Sequence, residues 1–330
     1  MTAVVTRFAP SPTGLLHAGN YRTAVFAYLF AKHTGGSCIL RIEDTDKARS
    51  KPEYEANILE ALAWLELPAD RQYRQSEHQA RHRELLEQLV AADAAYVSKE
   101  TPEHPGDREE VIRFRNPKGA VSFTDLIRGE IIMDVSDLGD FIIARSYDEP
   151  IFHFAVVADD ADEGVTHVIR GEDHISNTPR QILIQRALGF TSPVYAHLPL
   201  ILGSDRTKLS KRKGAKALTH YRDLGILPEA MLNYLAFLGW NPGDERDYLD
   251  RASLIQEFDL SRVHKGSAIF DEVKLLSVNQ HWMRELSDDD FIAQLQLAHP
   301  MSKLEPEKIR KAVPLLKERA HTFGEARDML

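Results

Sequence analysis

One stretch near the start of the chain constrains its fold more than any other: residues 7–20 read Arg-Phe-Ala-Pro-Ser-Pro-Thr-Gly-Leu-Leu-His-Ala-Gly-Asn. Residues 3–6 before it are β-branched or apolar and predict a short buried strand. Residues 21–33 after it lack proline and glycine and predict a largely buried helix. A strand, a turn rich in glycine and proline, and a helix start can place unpaired N–H groups against a phosphate. The stretch predicts a nucleotide site, although by itself it also fits a plain strand-to-helix turn.

A basic run lies in the second half of the chain. Residues 194–202 predict another apolar strand, and residues 208–214 after it read Lys-Leu-Ser-Lys-Arg-Lys-Gly. Basic runs are usually solvated faces. Lysines on a loop at the end of a strand also suit a reaction in which negative charge develops on a leaving pyrophosphate. The run alone leaves both interpretations open.

Together the two stretches resemble the signature motifs of class I aminoacyl-tRNA synthetases, the His-x-Gly-His element and the Lys-Met-Ser-Lys-Ser loop. The amino-acid sequence of these motifs is most similar to that of the glutamyl-tRNA synthetases. Besides the lysine loop, the blocks that carry the resemblance are residues 7–14, 40–46 (Leu-Arg-Ile-Glu-Asp-Thr-Asp), 164–174 (Gly-Val-Thr-His-Val-Ile-Arg-Gly-Glu-Asp-His) and 177–181 (Asn-Thr-Pro-Arg-Gln). They follow the family's order and cover essentially the whole chain, most weakly between residues 98 and 116.

The resemblance implies an α/β fold with three parts. These are a Rossmann-like class I synthetase catalytic domain, an inserted α+β acceptor-binding domain and an all-helical stem-contact domain. A chain of 330 residues is long enough for two or three domains. The expected boundaries are 1–95 and 151–215 for the two halves of the catalytic domain, 96–150 for the insertion, 216–320 for the helical domain, and 321–330 for the start of an anticodon-binding region that is otherwise truncated or absent.

Local patterns predict the main secondary-structure elements. Helices are expected at 53–65, 77–92, 152–160, 176–188 and 228–238, and strands at 37–42, 111–115, 120–124, 130–135, 141–144 and 166–169. Residues 116–119, Asn-Pro-Lys-Gly, are expected to form a hairpin turn between two of these strands.

The implied reaction needs no protein nucleophile. The α-carboxylate of glutamate attacks the α-phosphate of ATP, and the terminal ribose hydroxyl of tRNA-Glu then takes the acyl group; positioning and charge stabilisation are the expected means of catalysis. The expected catalytic residues are His17, Asn20, Lys208 and Lys211. The expected glutamate-binding residues are Arg7, Ala9, Ser11, Glu43, Phe152 and Arg170. The expected ATP-binding residues are Gly14, His17, Gly19, Asn20, Asp173, Ile201, Lys208, Leu209, Ser210 and Lys211.

Within the glutamate set, each side chain has an implied role and a structural alternative. Arg7 would pair with the side-chain carboxylate of the substrate through its bidentate fork, and Arg170 would lie against the α-carboxylate. Glu43 and Ser11 would hold the α-ammonium. The alternatives are surface ion pairs for both arginines and a turn or capping role for Ser11. Among the ATP-binding residues, His17 has the alternative of being a satisfied core histidine.

Three departures from the family pattern stand out. Asn20 occupies the position of the second histidine in the class signature. Leu209 and Arg212 replace methionine and serine in the lysine loop, a change that keeps the charged positions. Phe152 stands where relatives usually have tyrosine in the amino-acid pocket, so the ring is kept and one hydroxyl is lost.

Composition sets further expectations. The net charge of −9 argues against a wholly basic nucleic-acid binder, so tRNA contacts would use local patches. The expected cofactors are ATP with Mg²⁺, and no zinc, because structural zinc needs about four ligands and the insertion offers only His104 near its start. The single cysteine, Cys38, indicates a reducing compartment, and no apolar run approaches the ~20 residues that span a membrane. A cytoplasmic monomer acting on glutamate and tRNA-Glu is expected.

Other functions must be weighed against this one. A glutaminyl enzyme is disfavoured because it typically reads Pro-Glu-Pro-Asn-Gly where residues 10–14 read Pro-Ser-Pro-Thr-Gly. A paralogue that charges glutamate onto the queuosine base of tRNA-Asp has a similar length, but the predicted helices after residue 228 and the intact lysines argue against it. A non-catalytic tRNA-binding module is the alternative from another class.

Overall fold

The computed structural model describes residues 3–101, 109–209, 216–298 and 306–330. The strands are β1 (Val5–Phe8), β2 (Ser37–Ile42), β3 (Arg71–Arg74), β4 (Ala95–Lys99), β5 (Glu110–Phe114), β6 (Ala120–Asp125), β7 (Gly129–Asp134), β8 (Phe141–Ser146), β9 (Glu149–Pro150), β10 (His167–Gly171), β11 (Val194–Leu198), β12 (Ile201–Leu202) and β13 (Ala268–Ile269).

The helices are α1 (Ala18–His33), α2 (Pro52–Trp64), α3 (Gln79–Ala91), α4 (Phe152–Asp162), α5 (Thr178–Leu188), α6 (Leu218–Asp223), α7 (Pro228–Ala236), α8 (Arg251–Glu257), α9 (Glu272–Glu285), α10 (Asp288–Ala298), α11 (Pro306–Arg319) and α12 (Phe323–Asp328). Most predicted elements are present with shifts of one to three residues at their ends, the usual uncertainty of helix and strand boundaries. Within the described residues no helix is long and apolar enough to cross a membrane.

The chain divides into two units by spatial contacts. The first unit comprises Met1–Gly14, Phe30–Glu55 and Ala69–Leu198, and the second comprises Leu15–Leu29, Ala56–Pro68 and Pro199–Leu330. Both units contain segments from distant parts of the sequence. The domain boundaries expected from the family resemblance cut the chain at other points and stay a prediction.

Parallel strands form the centre of the first unit. β1, β2 and β3 pair in parallel, and so do β10 and β11. The N–H of Thr166 donates to the carbonyl of Val5 at 2.9 Å, which places the start of β10 beside β1. The sheet β3-β2-β1 and the pair β10-β11 thus lie side by side in the order of a doubly wound α/β fold, which reverses between β1 and β10. The predicted α/β class is confirmed.

The segment between α3 and α4 forms two further strand groups in the first unit. An antiparallel sheet has the order β4-β5-β8-β9, while β6 and β7 form a hairpin that joins β11 through the pair Tyr195 and Asp125. The prediction of a hairpin at residues 116–119 is wrong, because β5 and β6 on either side of it belong to different sheets. The chain does turn there, with positive φ at Lys118 and Gly119.

The second unit is helical from α6 onward, as expected for residues 216–320, apart from the short pair of β12 and β13. Trp240 is buried and lies 5.3 Å from Phe258 by ring centroids, and Phe258 also packs edge-on against Phe26. Buried Asn279 accepts from the N–H of Leu227 at 2.8 Å and donates to the carbonyl of His321 at 2.7 Å. One amide side chain therefore satisfies backbone groups from two other segments.

Candidate active site

Arg7 and Arg170 lie near the carboxyl ends of neighbouring strands, β1 and β10. Their relative exposures are 4% and 6%, so neither is a surface ion pair. The two guanidinium groups are close enough for their charges to interact. In open α/β sheets ligands bind at this edge, where the strand order reverses. Two of the residues predicted to bind glutamate therefore meet at the place where the fold favours a ligand.

Arg7 belongs to a buried network of four charged side chains. Its Nε and Nη2 lie 3.1 and 3.5 Å from the two carboxylate oxygens of Asp160. Arg41 shares that carboxylate at 2.6 Å and also lies 3.3 Å from Glu43. Burial lowers the pKa of Arg41, but Asp160 and Glu43 outweigh burial and raise it well above its ordinary value. Two cations here share two carboxylates.

Arg170 is surrounded by neutral acceptors instead. Its Nη2 donates to Thr178 Oγ1 and Gln181 Oε1, both at 2.8 Å, and its Nε donates to His197 Nε2 at 3.1 Å. No carboxylate of the described residues makes an ion pair with it. Burial lowers its pKa to about 10. Because a buried charge is costly unless it is paired, this guanidinium is suited to bind an anion.

A cleft of about 520 Å³ adjoins this end of the first unit, lined by Ser11, Glu43 and Phe152 among others. Glu43 directly follows β2, and its N–H donates to the carbonyl of Pro10 at 2.9 Å, so the loops after β1 and β2 run side by side. Burial raises the pKa of Glu43. Phe152 begins α4, and its ring lies 5.4 Å from that of His174. Three of the residues predicted to bind glutamate thus line one cavity.

The remaining residues predicted in the first unit have simpler settings. Ala9 and Gly14 are half-buried in the loop after β1. Asp173 follows β10, and a Cβ on Gly171 would approach its Oδ1 to 2.4 Å, so the glycine leaves room for that carboxylate. Asp44 accepts from the N–H and the hydroxyl of Ser76 at 2.9 and 2.6 Å, which gives it a capping role.

His17 and Asn20 form a reciprocal cap at the start of α1, in the second unit. The N–H of Gly19 donates to His17 Nδ1 at 3.1 Å, and the N–H of His17 donates to Asn20 Oδ1 at 3.1 Å. This arrangement satisfies two N–H groups of the helix start, as in a capping box. Since Nδ1 accepts, the neutral imidazole carries its proton on Nε2. A Cβ on Gly19 would lie 2.9 Å from the His17 ring, so this close approach requires glycine.

The segment before the lysine loop is a tight turn in the same unit. The N–H of Gly203 donates to the carbonyl of Thr207, and that of Leu209 donates to the carbonyl of Ile201, both at 2.9 Å. Lys208 and Leu202 form an isolated antiparallel β-bridge. A Cβ on Gly19 would lie 3.8 Å from Ile201 Cδ1, so the helix start and this turn are neighbours. Ser210 and Lys211 lie outside the described residues.

Sequence reasoning missed Arg41, Asp160, Asp125 and His197. All four are charged or titratable residues within apolar strands or helices, and all are buried. That pattern, a lone charge in an otherwise buried element, is the signal that could have found them, because such groups are seldom buried without partners. It does not by itself say which partner each one has.

Among the described residues, no group of three or more His, Cys, Asp or Glu side chains could hold a metal ion. Mg²⁺ is usually bound by one or two carboxylates together with substrate phosphates and water, so Mg²⁺ arriving with ATP needs no such group. His104 lies in residues 102–108, outside the described ranges, and the expectation of no zinc stays a prediction.

Comparisons with known proteins fit this site. The catalytic domain of the family described as tRNA synthetases class I (E and Q) matches residues 3–110 and 104–277. The glutamate–tRNA ligase of Aquifex aeolicus is 44% identical over the whole chain, which spans 78% of that relative; that of Nitrosomonas europaea is 42% identical over 98% of the chain and 77% of the relative.

A solved structure gives the same result. The crystal structure of a glutamate tRNA ligase from Elizabethkingia meningosepticum in complex with its amino acid has a TM-score of 0.91 and 34% identity, over 99% of this chain and 79% of that one. The doubly wound fold and the family match define an aminoacyl-tRNA ligase of class I. The chain belongs to the class I tRNA synthetase family of the E and Q enzymes, and it groups there with the glutamate–tRNA ligases.

Proposed function

We propose that this chain activates L-glutamate with ATP and transfers the glutamyl group to tRNA-Glu. The observation that carries the proposal is the Arg170 guanidinium, which is buried without a carboxylate partner among the described residues, close to Arg7. A dicarboxylic amino acid supplies two anions to such a site. Similarity to glutamate–tRNA ligases supports the same substrate and disfavours the queuosine-charging paralogue.

The roles of the glutamate-binding residues follow from their partners. Arg170 has two Nη1 hydrogens left for the α-carboxylate once its three bonds are counted. Arg7, held by Asp160 on one edge, presents its other edge to the side-chain carboxylate. Glu43 takes the α-ammonium, a cation that offsets the cost of its burial, and Ser11 assists it. Ala9 and Phe152 complete the pocket.

Residues of the second unit suit the triphosphate of ATP. The Nε2–H of His17 is a donor whose direction is set by the cap at Gly19. Asn20 has its oxygen engaged and offers its Nδ2 hydrogens. Lys208 and Lys211 would stabilise the negative charge that develops on the leaving pyrophosphate, and Mg²⁺ bound with ATP would supply further positive charge there. Gly14, Asp173, Ile201, Leu209 and Ser210 complete the proposed ATP set.

The test is glutamate-dependent ATP–pyrophosphate exchange, measured with and without tRNA-Glu. We expect exchange when tRNA-Glu is present, and a loss of about a hundredfold in Lys208→Ala because a charge-stabilising group is removed. Lys216→Ala is the matched control, since this lysine forms an exposed pair with Glu272 at 3.1 Å. Exchange that needs no tRNA would favour the paralogue, and failure to bind ATP would indicate the non-catalytic module.

A further inference from the structure

Two buried side chains support Arg170: His197 contacts it directly, and Asp125 contacts His197. Asp125 and His197 have relative exposures of 1% and 0%. Asp125 Oδ2 lies 2.7 Å from His197 Nδ1 and also accepts the backbone N–H of His197 at 3.0 Å. Its Oδ1 accepts the N–H groups of Ile127 and Arg128 at 2.9 and 2.8 Å. Four hydrogen bonds therefore hold this carboxylate in one orientation.

The carboxylate decides where the imidazole proton resides. An ionised carboxylate only accepts, so His197 Nδ1 must carry the hydrogen, and Nε2 of the neutral ring keeps its lone pair. Nε2 lies 3.1 Å from the Nε of Arg170, which always donates. With the other tautomer, two N–H groups would face each other. Asp125 therefore selects the tautomer of His197 that can accept from Arg170, and Thr178 Oγ1 lies 3.2 Å from the same Nε2.

We infer that Asp125 and His197 are positioning residues for substrate binding: they set the rotation of the Arg170 guanidinium so that its Nη1 edge is presented to the carboxylate of the amino acid. The inference rests on the proposed function of Arg170. Asp125 ends β6, whose hairpin belongs to the expected insertion of residues 96–150, and it pairs there with Tyr195 of β11. The expected insertion is thus linked to Arg170 by Asp125, acting through His197.

Substitutions of similar shape separate this role from a merely structural one. Asp125→Asn keeps the shape but can donate to Nδ1 and so shift the proton to Nε2. His197→Phe keeps a ring and removes both nitrogens. His197→Gln restores an acceptor for Arg170 Nε. Tyr195→Phe is the matched control, because it removes only the buried hydroxyl that bonds Gln185 at 3.1 Å and leaves the ring beside Arg170.

Steady-state kinetics in the presence of tRNA-Glu provide the first measurement. We expect Asp125→Asn and His197→Phe to raise KM for glutamate about tenfold, the effect of one lost hydrogen bond to a charged group, with kcat and KM for ATP little changed. His197→Gln should recover most of the loss, and Tyr195→Phe should have the wild-type KM. A wild-type KM in His197→Phe, or equal defects in His197→Phe and His197→Gln, would overturn the inference.

Nitrogen-15 NMR of the histidine rings in the wild-type enzyme provides a second measurement that needs neither activity nor a variant. We expect His197 to be protonated at Nδ1 and bare at Nε2, and a proton found on Nε2 would overturn the inference. This measurement holds even if a variant fails to fold. If the wild type shows no glutamate-dependent exchange, the proposed function fails, while the tautomer still decides the local geometry around Arg170.

Discussion

Two buried arginines in the same unit are held in opposite ways. Arg41 near the end of β2 lies between Asp160 and Glu43, at 2.6 and 3.3 Å. Within the described part of the chain, Arg170 near the end of β10 donates hydrogen bonds only to Thr178, Gln181 and His197. The pKa of Arg41 rises well above its ordinary value because of its carboxylates, whereas burial lowers that of Arg170 to about 10.

The difference separates a charge that serves the fold from one that serves a ligand. Removing one partner of a buried ion pair leaves the other charge uncompensated and is strongly destabilising. A buried cation that has only neutral hydrogen-bond partners is less well compensated, and the cost of its desolvation is offset further when an anion binds. We therefore expect Arg41 to stabilise the fold and propose that Arg170 binds the substrate.

The largest effect on stability is expected from Arg41→Met. Without the guanidinium, Glu43 stays buried without this ion pair and Asp160 is left with Arg7, so the free energy of unfolding should fall by about 3–5 kcal/mol. Denaturant unfolding measures this change. Arg71→Met is the control: its exposed pair with Glu163, at 3.2 Å, should contribute at most about 1 kcal/mol. A loss in Arg41→Met no greater than in this control would contradict the distinction between the two arginines.

The sequence predicted a role for Arg170 but none for Arg41. Arg170 and Arg7 lie in blocks that resemble a known family, and apolar strands before them indicated their place at a sheet edge. Arg41 lies in such a block too, yet no role could be predicted for it. Its role depends on Asp160, which is distant in the sequence and approaches only when α4 packs against the strands.

Chain connectivity limited prediction in the same way at Asp125 and His197. The pattern of residues 120–124 predicted β6, but nothing local showed that this strand joins β11 rather than its sequence neighbour β5. Strand pairing between distant segments depends on tertiary packing, which alternation of apolar residues does not encode. The turn at residues 116–119 was recognised for the same local reasons, and only its hairpin geometry was wrong.

An effect of intermediate size is expected at His174, because the pKa of its imidazole depends on the charge of Arg170. Burial, and after it the charge of Arg170, lower the pKa of this imidazole to about 4. An unfolded histidine titrates near 6.5, so between these values the unfolded state binds the proton and the folded state does not. This histidine therefore makes stability rise with pH across that window, reach its full value above pH ~6.5, and fall as the pH drops toward 4.

Arg170→Met should raise the pKa of His174 and weaken this slope, because a nearby positive charge is lost. NMR titration of the ring measures it. Arg180→Met is the control, since Arg180 lowers the pKa of His153 and should leave that of His174 in place. An unchanged His174 pKa in Arg170→Met would mean that the charge of Arg170 is screened from His174.

The smallest effect is expected from Phe152→Tyr. A hydroxyl at the cleft can restore one hydrogen bond near the amino acid, worth about 1 kcal/mol. KM for glutamate should therefore fall a few-fold, with kcat unchanged, as steady-state kinetics with tRNA-Glu would show. Phe190→Tyr, which adds a hydroxyl to a half-buried ring not among the residues that line the cleft, should leave KM as it is. An unchanged KM in Phe152→Tyr would remove the idea that this phenylalanine weakens binding.

The most direct test of the central claim is glutamate binding to Arg170→Met, titrated by calorimetry beside the wild type with tRNA-Glu present. The account predicts that the wild type binds glutamate and that the variant weakens binding by at least about a hundredfold, because its carboxylate loses a buried charged partner. The same variant should unfold with no loss comparable to that of Arg41→Met. Wild-type affinity in a folded Arg170→Met protein would show that the uncompensated guanidinium is not the receptor for the substrate.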